Sequence, residues 1–324
     1  MGGELNLPAW VGDNVRVLDL DSYEDWQEAR QSGLGASDAS TVFGVNPYKD
    51  QYQLWAEKTG RAVPKLPNRT LRYGQLNEEI VREAYEEDNE VTVWHRSNFM
   101  FVHIDDPWLR YSPDGLVMEF PRLFEAKTAR RSNEWRDEAS DHAEAQVSAG
   151  ATVMGVPGLD ADIKVMIGGD AENMLQYTIE IPQVTIDTVR EVMARFWHDH
   201  VLADVPPSPD HRSLDDLLGQ YRESLPGSVK HVRSEERKEV LEALDLYEKG
   251  RSMVSKGTKI RDTGKARLLR IAGEFESVET VGGKELFTYR TETSRRVTNG
   301  ALMKAGLDPE DYREETTTRT LRVK

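Results

Sequence analysis

Residues 112–127, Ser-Pro-Asp-Gly-Leu-Val-Met-Glu-Phe-Pro-Arg-Leu-Phe-Glu-Ala-Lys, constrain this chain more than any other stretch. The apolar run 116–120, the breaker Pro121-Arg122 and the return over 123–126 read as a β-hairpin. Alternation on the returning strand puts Glu125 and Lys127 on one face, with Phe124 and Ala126 on the other. Asp114 stands at the entry to the hairpin. Two carboxylates opposite one another with an amine beside them suit a hard-metal site that handles an anionic reaction centre. The plainer alternative is a surface ion pair on an exposed hairpin.

The rest of the chain sets the frame around that block. Residues 1–202 read as one α/β unit. Helices are expected at 21–30, 52–58, 75–87, 139–151 and 186–202, with a short one after the small-residue turn at 33–39. Strands are expected at 91–94, 100–104, 116–120, 123–126, 163–168 and 175–181, and a loop at 64–68. The run Ala-Asp-Val-Pro-Pro-Ser-Pro-Asp at 203–210 opens a linker taken as 203–233. Beyond it, 234–324 reads as a charged helical arm, a hairpin around Val281, a short helix at 299–304 and a terminal strand within 318–324.

With 324 residues the chain can hold one large core and an appendage, or two domains. No apolar run approaches the ~18 residues of a membrane span. The N-terminal residues lack the basic and apolar regions of a signal peptide. The absence of cysteine excludes disulfides, thiolate zinc sites and a cysteine nucleophile, and agrees with a cytoplasmic setting. A net charge of −15 argues against a nucleic-acid binder only on its face. Residues 249–304 carry 13 Lys/Arg against 6 Asp/Glu, and screening confines each field to about 8–10 Å, so a basic surface can act locally.

Several other residues are candidates. Glu78 shares a helical stripe with Val81 and Tyr85 and is expected to lean inward, where an unpaired carboxylate needs a partner such as a metal. A glutamate complementing the helix dipole is the alternative. Glu79 falls on the solvated face. Ala139, Ala143, Gln146 and Gly150 recur on one side of their helix, so small residues let it lie close to a sheet. Gln146, the polar member, is placed to reach a phosphate or a water, or a neighbouring backbone group. Arg30 and Ser37 flank the glycine-rich turn, where a guanidinium and exposed N–H groups suit a terminal phosphate. His95, His103 and His142 lack metal-ligand spacing, and Trp10, Trp55 and Trp94 read as core. The acidic pair Asp105-Asp106 is a further carboxylate source.

Four blocks in order then carry a resemblance: Gly33-Leu-Gly-Ala-Ser-Asp-Ala-Ser with Gly44-Val-Asn-Pro-Tyr and Leu54 to Gly60; Gly74-Gln-Leu-Asn-Glu78; Ser112-Pro-Asp-Gly with Glu125-Ala-Lys127; and His142-Ala-Glu-Ala-Gln146. Together they resemble the YqaJ-like viral recombinase family, which groups with the phage lambda-type exonucleases in the PD-(D/E)XK nuclease superfamily. The C-terminal tail is similar, more loosely, to extensions of phage members.

The resemblance implies a restriction-endonuclease-like core, a mixed central β-sheet flanked by helices. It also implies a metal-dependent exonuclease degrading one strand of duplex DNA from its 5′ end. Asp114, Glu125, Glu78 and the carbonyl of Ala126 would hold Mg²⁺, with Mn²⁺ as a substitute, and Lys127 would assist the attacking water. Arg30, Ser37, Ser112 and Gln146 would receive the 5′ phosphate. Many members carry a β-branched residue where this chain has Ala126, a difference without consequence if only the carbonyl is used. Expected partners are duplex DNA with free ends, a single-strand annealing protein, and further copies of the chain in a ring-shaped trimer, in the cytoplasm of a bacterial host. Two other readings stand beside this one: a structure-specific endonuclease on the same fold, and a non-catalytic DNA-binding or assembly protein whose arm is a coiled interaction module.

Overall fold

The computed structural model describes residues 5–62, 69–135, 137–294, 296–314 and 320–323. The chain divides into two units, Met1–Gln220 and Tyr221–Lys324. The first unit opens with strand β1 (Val15–Asp19), helix α1 (Tyr23–Gln31), the short β2 (Leu34–Gly35), a 3-10 turn and α2 (Ala39–Val42). Helices α3 (Gln51–Lys58) and α4 (Arg69–Asn89) follow. Then come five strands: β3 (Val93–Trp94), β4 (Phe99–His103), β5 (Leu109–Tyr111), β6 (Gly115–Val117) and β7 (Arg122–Ala129). The unit closes with α5 (Asp141–Met154), β8 (Asp160–Ile167), β9 (Met174–Ile179), α6 (Gln183–Phe196) and α7 (Leu214–Gln220).

The fold is mixed α/β, with sheets flanked by helices. Where the sequence predicts one central sheet, the strands divide between two. One has the order β3-β6-β7-β8-β9, the other β1-β4-β5-β2. In the first, β7 and β8 run parallel from Arg122↔Asp160 to Ala129↔Ile167, and the other pairs are antiparallel. Seven of the eight β8 residues are buried, as expected of a central strand covered on both faces. β1 and β5 were not foreseen. β1 reads Val-Arg-Val-Leu-Asp and is only partly buried, and β5 is three residues long, so neither leaves a clear period-2 apolar signal. The hairpin forms with Gly115 opposite Phe124 and Leu116 opposite Leu123, but its first strand ends at Val117 and Arg122 already belongs to β7, so the bend runs over 118–121 rather than lying at Pro121-Arg122.

Helix α5 fixes the distance between the layers. Ser140 caps its start by accepting from Ala143 N, and Gly155 ends it in the left-handed region at φ 60°. Ala143 and Gly150 face the sheets. A Cβ on Gly150 would lie 2.9 Å from Tyr111 Cζ on β5 and 3.2 Å from Leu123 Cδ1 on β7. A second small core joins α4 to the five-stranded sheet through Val81, Tyr85, Phe124 and Ala126.

Part of the expected linker is folded. Ser213 Oγ donates to both carboxylate oxygens of buried Asp50 at 2.7 and 2.6 Å, Asp210 N donates to Asp50 Oδ2 at 2.8 Å, and Arg212 donates to the carbonyl of Asn46. Asp50 also closes a capping box with Gln53 at the start of α3. The Pro-rich composition of 203–210 gave no sign of these polar anchors.

The second unit carries α8 (Arg237–Ala272), a hairpin of β10 (Ser277–Glu279) and β11 (Glu285–Thr288), and α9 (Asn299–Lys304), capped by Thr298. The predicted loop at 64–68 lies outside the described residues. Where a terminal strand is predicted, the described residues 320–323 form none. Among the described residues no helix is long and apolar enough to cross a membrane.

Candidate active site

The hairpin places its functional groups by strand alternation. Phe124 and Ala126 turn into the small core, which sends Glu125 and Lys127 to the opposite face. Asp114 bridges the two strands, its Oδ2 accepting from Ala126 N at 2.9 Å. Glu125 is 1% exposed, and its Oε1 accepts from Lys127 Nζ and from Gln146 Nε2, each at 2.5 Å. Gln146 Oε1 in turn accepts from Lys127 Nζ at 2.9 Å. The three side chains therefore close a triangle across β7 and α5. Glu125 Oε2 is buried without a hydrogen-bond partner among the described residues.

Charge in this corner is tightly balanced. Burial and the neighbouring Asp114 push the Glu125 carboxyl up to about 8, against the pull of Lys127. Burial works against the Lys127 ammonium, but Glu125 and Asp114 outweigh it and raise its pKa. His142, at the start of α5, is driven down to about 4 by burial and by Lys127.

Beside the triangle a cleft is lined by Arg30, Ser37, Glu78, Ser112, Asp114 and Gln146. Six of the residues singled out in the sequence therefore share one wall system, although they come from five separate segments. Arg30 Nη2 donates to Ser37 Oγ at 2.9 Å. Its guanidinium lies 5.4 Å from the centre of the Trp26 ring, while Trp26 Nε1 donates to Ser112 Oγ at 2.9 Å. Below them Asp38 and Lys58, both nearly buried, pair at 2.7 Å, and Lys58 Nζ donates to the carbonyl of Arg30. This buried pair fixes the turn from which Arg30 and Ser37 project.

Glu78 departs from expectation. Val81 and Tyr85 are buried, but Glu78 itself stays exposed at the cleft wall rather than leaning into the core. Desolvation of its carboxyl by the cleft, and then Asp114, push it up to about 7. Glu79 is solvated as predicted, 3.8 Å from Arg82. Asp106 is engaged elsewhere, its Oδ2 accepting from Arg190 Nε at 2.6 Å, and it does not line the cleft. Trp55 is buried, and Trp10 and Trp94 pack against the same core.

Trp26, Tyr23, Arg96 and Tyr111 also line the cleft and had not been singled out for it. Tyr23 and Trp26 stack at 5.5 Å between centroids. The available signal was the four-residue spacing of Trp26 and Arg30, which places them on one helix face. Tyr111 is 1% exposed, its hydroxyl without a hydrogen-bond partner among the described residues. β5 was unforeseen, so nothing pointed to it.

A hard divalent cation suits the oxygen donors here, because a buried carboxylate oxygen lacking a partner calls for a cation or a donor. Among the described residues no three His, Asp or Glu groups are gathered closely enough to hold a metal by themselves. Asp114 and Glu125, with the carbonyl of Ala126, the residue whose N–H donates to Asp114, and Glu78 in the same cleft, are the oxygens that could take part in such binding.

Residues 25–156 match the YqaJ-like viral recombinase domain. The chain is 26% identical over 247 residues to the uncharacterized protein YqaJ of Bacillus subtilis strain 168, covering 74% of this chain and 76% of that one. It is 33% identical over 95 residues to protein D345L of African swine fever virus strain Badajoz 1971 Vero-adapted, covering 28% of this chain and 26% of that protein. Among solved structures, an alkaline exonuclease from Laribacter hongkongensis superimposes with a TM-score of 0.45 at 18% identity, covering 56% of this chain and 94% of that one.

Proposed function

We propose that the first unit is a metal-dependent deoxyribonuclease that degrades one strand of linear duplex DNA from its 5′ end, exposing single strands for recombination. The observation that carries this reading is the single cleft in which Arg30, Ser37, Ser112 and Gln146 meet Glu78 and Asp114, beside the Glu125–Lys127 pair. The match of residues 25–156 to a viral recombinase domain supports it.

Each side chain has a distinct task. Arg30, with Ser37 and Ser112, binds a terminal phosphate through charge-assisted hydrogen bonds and so admits a DNA end. Asp114, Glu125 and the carbonyl of Ala126, with Glu78, would hold Mg²⁺ or Mn²⁺, which supplies charge neutralisation and a readied water. Lys127 presents its ammonium to the oxygen on which charge develops as the phosphodiester is attacked. Gln146 keeps Lys127 and Glu125 in register, since it bonds to both. The aromatic pair Tyr23 and Trp26 walls the mouth of the cleft. Further parts of the proposal are association with a single-strand annealing protein, assembly of several copies around DNA, and action in the cytoplasm of a bacterial host.

The test is digestion of duplex DNA bearing a 5′ phosphate, a 5′ hydroxyl or no free end, in Mg²⁺ or EDTA, beside Lys127→Ala. Metal-dependent loss of the phosphorylated linear DNA, abolished by the substitution, is expected. Cutting of closed circles would replace the exonuclease with an endonuclease, and no cleavage under any condition would remove the enzymatic reading.

A further inference from the structure

Helix α8 has 36 residues, of which Ala272 alone is buried; at 1.5 Å per residue it is about 54 Å long. Gly250, Gly257 and Gly264 lie seven apart within it. A glycine inside a helix costs ~1 kcal/mol relative to alanine. None of the three has a positive φ or a neighbouring atom within 4 Å of where a Cβ would stand. Nothing described in the chain itself therefore requires them.

Large apolar side chains border this line of glycines. Leu246, Met253 and Ile260 stand four residues before them and are 72%, 72% and 74% exposed. Tyr247 and Val254 stand three residues before the first two and are also exposed. Notch and ridge thus repeat every seven residues, the period of a two-helix seam. An exposed ridge of this length on a soluble helix needs a cover.

Charge selects the cover. Residues 235–249 carry six acidic and three basic side chains, whereas 250–272 carry one acidic and seven basic. Two parallel copies would lay basic half on basic half. Two antiparallel copies lay acidic half on basic half, twice. A register centred on Ser252 then sets Val254 at the Gly250 notch of the other copy, Tyr247 at Gly257 and Val240 at Gly264, a large residue against a small one in each layer.

We propose that α8 is a self-association surface, pairing antiparallel with α8 of a second copy of this chain through its glycine notches. The surface belongs to the second unit, and the inference does not depend on the activity proposed above.

The chain contains no cysteine, so cross-linking reports on this seam directly. Full-length Val240→Cys and Gly264→Cys are prepared separately, shown by circular dichroism to keep wild-type helicity, and oxidised alone or mixed. The antiparallel pair predicts a strong cross-link in the mixture, little in either variant alone, and its loss when Met253→Asp is added to both. Self-cross-linking of Val240→Cys as strong as in the mixture would mean a parallel pair and overturn the proposal. Absence of any cross-link would overturn it too. If reversing Lys256 and Lys259 then abolished DNA binding, the face would belong to DNA instead.

Discussion

Gly150→Ala tests how the α5 interface supports the site. Two effects oppose each other. Alanine improves helix propensity by ~1 kcal/mol. Its Cβ, however, would stand 2.9 and 3.0 Å from Tyr111 Cζ and Cε2 and 3.2 Å from Leu123 Cδ1. Both neighbours are at most 1% exposed and belong to the main core, so neither ring nor isopropyl group has room to withdraw. Overpacking of this kind costs about 1–3 kcal/mol, and the tightness of the contact places it toward the upper end. The expected net loss is about 1–2 kcal/mol, which for a unit of this size lowers Tm by roughly 3–6 °C. Relief comes by moving α5 outward. Gln146, one turn earlier on the same face, moves with it and loses its fit to Lys127 and Glu125, so DNA cleavage should fall ~10-fold or more. Thermal unfolding by circular dichroism in EDTA, together with the initial rate of DNA digestion, measures both effects. A Tm equal to or above that of the wild type would refute the close-packing argument.

Lys127→Met removes the cation that holds down the Glu125 carboxyl, which burial already pushes up to about 8; the carboxyl rises further, so denaturant unfolding should show stability lost more steeply than in the wild type as pH climbs above about 8, a dependence that Glu125→Gln in the same chain should remove. Asp38 is held below its ordinary value because Lys58, Arg30 and Lys49 outweigh the upward push of burial. The folded state therefore binds fewer protons than the unfolded one, and this stability is present above about pH 4 and drains away as pH falls below it. Asp38→Asn should flatten the acid limb of the stability profile below about pH 4, and an unchanged limb would count against the buried pair. Asp88→Ala strips Lys164, which is 3% exposed on β8, of its carboxylate partner; the expected destabilisation is about 2–3 kcal/mol, mostly recovered in the double variant with Lys164→Met. Full stability in Asp88→Ala alone would show that the ammonium has another partner.

Short-range order was legible in the sequence because it rests on short-range physics. Alternation by itself put Glu125 and Lys127 on one face of β7. Helical spacing picked out the small side of α5 and its one polar member, Gln146. The motif blocks, through the resemblance they carry, pointed to Ser37, Glu78, Ser112, Asp114 and Gln146 in the cleft, and Arg30 lies just before the first of them. Other features depend on chain segments far apart in sequence, which no local period records. β1 and β5 were too short or too polar to announce themselves, and without β5 the place of Tyr111 was invisible. Glu78 shares a stripe with two buried residues yet remains exposed, because at its level the helix borders the open cleft rather than the small core. The 203–220 segment looked like a linker until Asp50, over 150 residues earlier, supplied its anchor. Strand alternation alone shows which way the hairpin presents Glu125 and Lys127, the groups proposed for the chemistry. Only the tertiary structure brought Arg30 and Ser37 to Ser112 and Gln146, because that meeting is made by packing α1, α5 and two sheets together, and packing is a property of the whole core.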